Sequence, residues 1–149
     1  MKRLGSPVAD LEFTQNGLKS IIESARTNFL LGELSASCRD EAEAQRRYEA
    51  ASQATEPSQV LWAWAAARKQ SGYERAQWQS RLTSALSQAE SRLRTSSLKG
   101  WWTYCIGALQ IALGDEEKSR TSLREVILLP ESLMSYHFAR LALDGATPR

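Results

Sequence analysis

From Gly107 to Pro130 the residues fall at the spacing of two antiparallel helices packed against each other, and this constrains the fold more than any other stretch of the chain. Gly107 leaves room in the first helix for the second to approach closely. Gly114 adopts the left-handed conformation cheaply and so stops the first helix, while the carboxylate of Asp115 accepts from free backbone N–H groups and starts the next. Ser119, Leu123 and Val126 give the second helix its inner face, and Pro130 closes the unit. A module of this kind offers a surface to a partner; nothing in it performs chemistry.

The same alternation of apolar stripes and breakers runs through the rest of the chain, and no stretch shows strand-like alternation. Ser6-Pro7 signals a helix entry. Leu18, Ile21, Ile22, Ala25, Phe29, Leu30 and Leu34 recur at three and four, which predicts a helix over about 17–37. Cys38-Arg39-Asp40 breaks it. Ala44, Tyr48 and Ala51 mark a second helix ending near Glu56-Pro57, where the residue before proline is driven out of helical geometry. A third, over about 58–71, is apolar on nearly every side through Val60, Leu61, Trp62, Trp64, Ala65 and Ala66, and Gly72 ends it. It is expected to be the most buried. Trp78, Leu82, Ala85, Leu86, Ala89 and Leu93 trace a fourth helix, Thr95-Ser96-Ser97 a loop, and further helices are expected over about 98–113, 116–129 and 132–143. The stripe expected of the last is Leu133, Tyr136, Ala139, Arg140 and Leu143.

At 149 residues, 42% hydrophobic and 24% charged, the chain has the size and composition of one soluble domain with a real core. No apolar run approaches the roughly 18 to 20 residues of a membrane span, and Asp10 and Glu12 interrupt any secretory apolar segment. A cytoplasmic location is therefore expected; the alternative is a piece of a longer protein whose signal lies upstream. Cys38 and Cys105 are expected as buried thiols in similar repeat positions, since neither has a Cys or His at metal-ligand spacing. No metal and no cofactor is expected.

Two stretches resemble the tetratricopeptide repeat, a unit of about 34 residues in which a large apolar residue, glycine, alanine, an aromatic, alanine and proline recur through two antiparallel helices. Leu31, Gly32, Ala44, Tyr48, Ala51 and Pro57 form one copy, and Ile106, Gly107, Ser119, Leu123, Val126 and Pro130 another. Gly32 to Ala44 and Gly107 to Ser119 are both twelve positions apart, and Tyr48 and Leu123 each follow four positions later. Gly32 and Gly107 stand farther apart than two standard repeats by about seven positions, so the degenerate middle copy has a lengthened second helix or loop. Ala65 or Ala66 stands there in place of glycine. The resemblance implies an all-α domain over 1–149, a short right-handed α-solenoid with units at about 25–57, 58–97 and 98–131 and a carboxy-terminal capping helix over 132–143.

It also implies a function: a non-catalytic protein–protein interaction or assembly module whose first helices line a groove for a protein or peptide. The family's groove positions fall on Arg26, Phe29, Glu33, Ala36 and Ser37, then on Trp101, Tyr104, Ala108, Ile111 and Ala112. Groove lysines and asparagines that clamp carboxylates in some members are replaced here by Phe29, Glu33, Tyr104 and Ala108, which argues against a chaperone-tail receptor. Two alternatives stay open. One is a carboxy-terminal accessory domain of a larger, enzymatic protein. The other rests on residues 58–100, with seven basic side chains against two acidic: Arg68, Lys69, Arg75, Arg81, Arg92 and Arg94 offer a basic patch for an acidic partner or, less favoured, for nucleic acid. A solvated face explains the same charges, and His137 reads as a packing or surface histidine. Glu41, Glu43, Glu116 and Glu117 begin helices, where they complement the dipole, and no catalytic motif accompanies them.

Overall fold

The structure, a computed structural model, describes residues 24–129 and 133–145. They form seven helices and, among the described residues, no strand: α1 (Ala25–Ser37), α2 (Glu41–Ser52), α3 (Val60–Ala67), α4 (Arg75–Thr95), α5 (Lys99–Leu113), α6 (Glu116–Leu128) and α7 (Leu133–Leu143). The expected Ser6-Pro7 entry and the Pro130 stop lie outside the described residues. The first helix does not run unbroken from residue 17, because Ser24 is extended (φ −62°, ψ 147°) and its hydroxyl accepts from the Thr27 N–H at 3.2 Å. A serine in that geometry caps a helix and marks its start at Ala25.

The joint after α1 and the joint after α5 are the same piece of chemistry in two distant parts of the chain. The Arg39 N–H donates to the Ala36 carbonyl at 3.0 Å and the Asp40 N–H to that of Ser35 at 2.9 Å; the Gly114 N–H donates to Ile111 at 3.0 Å and the Asp115 N–H to Gln110 at 2.9 Å. Each closes the last turn of a helix through a left-handed residue. The aspartate then caps the following helix, Asp40 Oδ1 accepting from the Glu43 N–H at 3.1 Å and Asp115 Oδ1 from that of Lys118 at 3.3 Å. Gly114 takes the left-handed conformation at φ 84°, but its counterpart is Arg39 at φ 62°. A side chain there brings a steric cost that glycine avoids.

Close helix approach follows at the paired glycines. A Cβ on Gly32 would lie 2.6 Å from Cε1 of the Tyr48 ring, and one on Gly107 would lie 2.9 Å from Cδ2 of Leu123. Both partners stand sixteen positions further on, in the adjoining helix. Ala66 and Leu82, also sixteen positions apart, are both buried. α4 is the longest helix among the described residues, with 21 residues against 12 in α2 and 13 in α6.

Two rows result. α1, α3, α5 and α7 each pack on the next of their set, while α2, α4 and α6 lie against their chain neighbours and not against one another. The core runs between the rows through Phe29, Tyr48, Trp64, Trp78, Leu82, Leu109, Leu123 and Val126. α3 is the most buried helix, with seven of its eight residues inside. Arg81 bridges from α4 to the end of α2 through its side chain: its guanidinium lies 3.9 Å from the Trp78 ring centroid and donates to the Ala54 carbonyl at 3.0 Å. The ammonium of Lys99, at the start of α5, donates to the Leu93 and Arg94 carbonyls that end α4.

Three expectations are corrected. α3 stops at Ala67, not at residue 71, and Gly72 sits in a following turn with no left-handed φ and open space where a Cβ would go. Cys38 is exposed at the end of α1, whereas Cys105 is buried in the middle of α5, where burial pushes its thiol up to about 12. Among the described side chains of α7, Phe138, Ala139, Ala142 and Leu143 face inward and Tyr136 and Arg140 are exposed, while that of Leu133 lies outside the described ones.

The glycine contacts set a mutational test. Gly32→Leu and Gly107→Leu should each lower stability by about 1–3 kcal/mol or more through overpacking, read as a lower midpoint in denaturant. Arg39→Gly should do the reverse. Relief of the left-handed strain is expected to raise stability by about 0.5–1 kcal/mol, and an unchanged or lower midpoint would show that Arg39 sits there without strain.

Candidate functional site

The row of α1, α3, α5 and α7 carries the residues that the sequence places in a groove, and aromatic rings fill much of it. The Phe29 ring lies 5.7 Å from Trp62 of α3 and 6.1 Å from Tyr48 of α2, centroid to centroid. Trp101 and Tyr104 of α5 are 5.7 Å apart, and Tyr104 is 5.8 Å from Phe138 of α7. Arg26 of α1 joins the two groups. Its guanidinium carbon is 5.7 Å from the Trp62 ring centroid and 4.3 Å from that of Phe138, so the first and last described helices meet through one cation between two rings. Such contacts are worth about 0.5–2 kcal/mol each.

Burial divides the six expected contact residues. Phe29, Tyr104 and Ala108 are buried by the chain itself, at 5%, 5% and 2% exposure, and serve the core in this arrangement. Burial, then the neighbouring Cys105, pushes the Tyr104 hydroxyl up to about 12. Trp101, Ile111 and Glu33 keep part of their surface. Ile111 borders a cleft of about 280 Å³ between α5, α6 and α7, with Trp64, Leu123, Ala142 and Leu143.

Glu33 is held at the other end of the row. Its carboxylate accepts from the Tyr48 hydroxyl at 2.5 Å and from the Lys69 ammonium at 2.8 Å, linking α1 to α2 and to the turn after α3. Partial burial acts to raise its pKa, but the hydrogen bonds donated by Lys69 and Tyr48 outweigh it and leave the group below the ordinary carboxylate value. The Tyr48 hydroxyl is correspondingly raised, by burial first and by Glu33 second.

The six basic residues do not form one patch. Lys69 is engaged with Glu33, and Arg81 is spent on Trp78 and the end of α2. Arg92 and Arg94 stand exposed in the last turn of α4, where cations complement the helix dipole. Arg75 is about 25 Å away from them along the same helix, at 1.5 Å per residue. Arg68 and Arg75 alone share a cleft.

Trp62 and Phe138 are absent from the sequence-derived contact residues, yet both hold the row together. A signal for Phe138 exists: it follows Tyr104 by one repeat length. Arg26 falls on an expected groove position, but its ring partners are set by tertiary packing. His137 is exposed. Among the described residues no three His, Cys, Asp or Glu gather at metal-binding distance, and no helix is long and apolar enough to cross a membrane. No protein family, curated protein or solved structure matches the chain.

The Glu33 carboxylate gives the site a pH signature. Its folded pKa lies below that of a free carboxylate, so its contribution is present above the unfolded value and is lost as pH falls through the folded one. Between about pH 5 and about pH 3, melting temperature should therefore fall more steeply for the parent than for Glu33→Gln, by the linkage of proton uptake to unfolding. Parallel curves would show that the Tyr48 and Lys69 hydrogen bonds contribute nothing specific.

Proposed function

We propose that the chain is a non-catalytic protein–protein interaction or assembly module, a short right-handed α-solenoid of tetratricopeptide type that presents the face of α1, α3, α5 and α7 to a protein or peptide. The observation carrying this reading is the repeated contact of Gly32 on Tyr48 and Gly107 on Leu123, together with the two-row packing of alternate helices. The matching turns at Arg39-Asp40 and Gly114-Asp115 add a second, local sign of repetition. α7 packs on α5 and α6 at the end of the described row. The reading requires no cofactor and a cytoplasmic setting suits it.

On this face Trp101 is the anchor of choice, because it is aromatic, part-exposed and already oriented against Tyr104. Aromatic anchors at interfaces typically contribute about 2 kcal/mol or more on truncation. A partner captured by the immobilised parent from native lysate should therefore bind Trp101→Ala about thirtyfold more weakly, while circular dichroism and melting stay unchanged. Reversal of Arg92 and Arg94 should alter mainly association rate and its salt dependence. If Trp101→Ala binds as the parent does and the two arginines decide affinity, the contact face is the basic second row and this assignment fails.

A further inference from the structure

The end of α3, the turn after it, the start of α4 and the end of α5 enclose a half-open cleft of about 340 Å³, at the lower end of the range of small-molecule sites. Arg68 and Arg75 stand on its walls with Trp64, Tyr73 and Gln79, over a floor that includes Leu82. Its polar character is one-sided. Trp64 donates its indole N–H to the Tyr73 hydroxyl at 3.2 Å, which leaves the hydroxyl proton of Tyr73 to be given to something else. The Arg68 guanidinium lies 4.7 Å from the Trp64 ring centroid, so it rests on the indole with its N–H edge available. Among the described residues neither Arg68 nor Arg75 has a carboxylate within ion-pair distance, and no acidic side chain lines the cleft. Arg81, further along α4, is by contrast satisfied by a ring and a carbonyl.

We infer that this cleft is a binding site for a small organic anion, a carboxylate or phosphate monoester, held by the guanidinium groups of Arg68 and Arg75 and the hydroxyl of Tyr73. Guanidinium forks match planar or tetrahedral oxyanions through paired N–H donors. The cleft shares Ala112 with the expected groove positions, but its anion site does not depend on the protein-partner reading.

Amide NMR titration of the full chain with phenyl phosphate, benzoate and neutral benzyl alcohol tests it. Phenyl phosphate or benzoate should shift the signals around Trp64, Tyr73, Gln79 and Leu113 with a dissociation constant in the roughly millimolar range expected of a ligand this small. Benzyl alcohol should not. Arg68→Gln and Arg75→Gln should each weaken binding about tenfold, the usual loss for a charge-assisted contact, while the double variant Arg92→Gln with Arg94→Gln binds as the parent does. Arg75→Lys, which keeps the charge but not the fork, should also lose affinity and guards against a folding artefact, checked by an unchanged circular dichroism spectrum. Tighter phenyl phosphate binding assigns a phosphoryl ligand and tighter benzoate a carboxylate. Absence of shifts at the cleft, equal binding of the neutral alcohol, or an equal loss with the Arg92 and Arg94 double variant would overturn the site.

Discussion

Everything else in this molecule depends on how closely α1 meets α2 and α5 meets α6. A bare backbone at Gly32 faces a tyrosine ring, and a bare backbone at Gly107 faces a leucine. Because the missing Cβ is what brings each pair together, the residues flanking the glycines are carried to fixed depths. Tyr48 reaches far enough to hydrogen-bond Glu33, and Leu123 and Val126 become almost wholly buried. Packing at native density leaves little freedom for such pairs to adjust, so the helix axes are set by two residues that have no side chain.

The middle pair solves the same problem with alanine. Ala63, Ala65, Ala66 and Ala67 make α3 small on several faces at once, and it can therefore touch α1, α2, α4 and α5. Its tryptophans then reach outward from a slim backbone: Trp64 toward Tyr73 and Arg68, Trp62 toward Phe29 and Arg26. α4 is about two turns longer than α2 or α6. Lys99 and Arg81 fasten that longer helix to its neighbours through backbone carbonyls.

Much of this is legible in the sequence where one residue type decides local geometry. Asp115 and Gly114 mark a joint by themselves, the shared twelve-and-four spacing marks the two close approaches, and the apolar faces of α3 and α4 follow from periodicity. What stays hidden depends on residues distant in the chain. Arg39 occupies a left-handed position that glycine ordinarily fills, and only the comparison with its counterpart Gly114 exposes the substitution. Gly72 invites a helix stop, yet α3 ends at Ala67 and the glycine fills no conformational need. Phe29 and Tyr104 sit at positions suited to a groove, but the rings of Trp62 and Phe138, each supplied by the next helix of the row, come to lie against them. Solvent exposure of a helix face is a property of its neighbours, and no single stripe of residues encodes it.

The cation of Arg26, set between Trp62 and Phe138, has a consequence for cooperativity. A row of helices in which each touches only the next behaves as a one-dimensional stack: its two ends are free, melting begins there and travels inward. Here a side chain from the first described helix touches a ring on the last. That contact couples the two ends by about 0.5–2 kcal/mol, so loosening α7 costs Arg26 of α1 one of its ring partners. One arginine thereby ties the stability of each end of the row to that of the other.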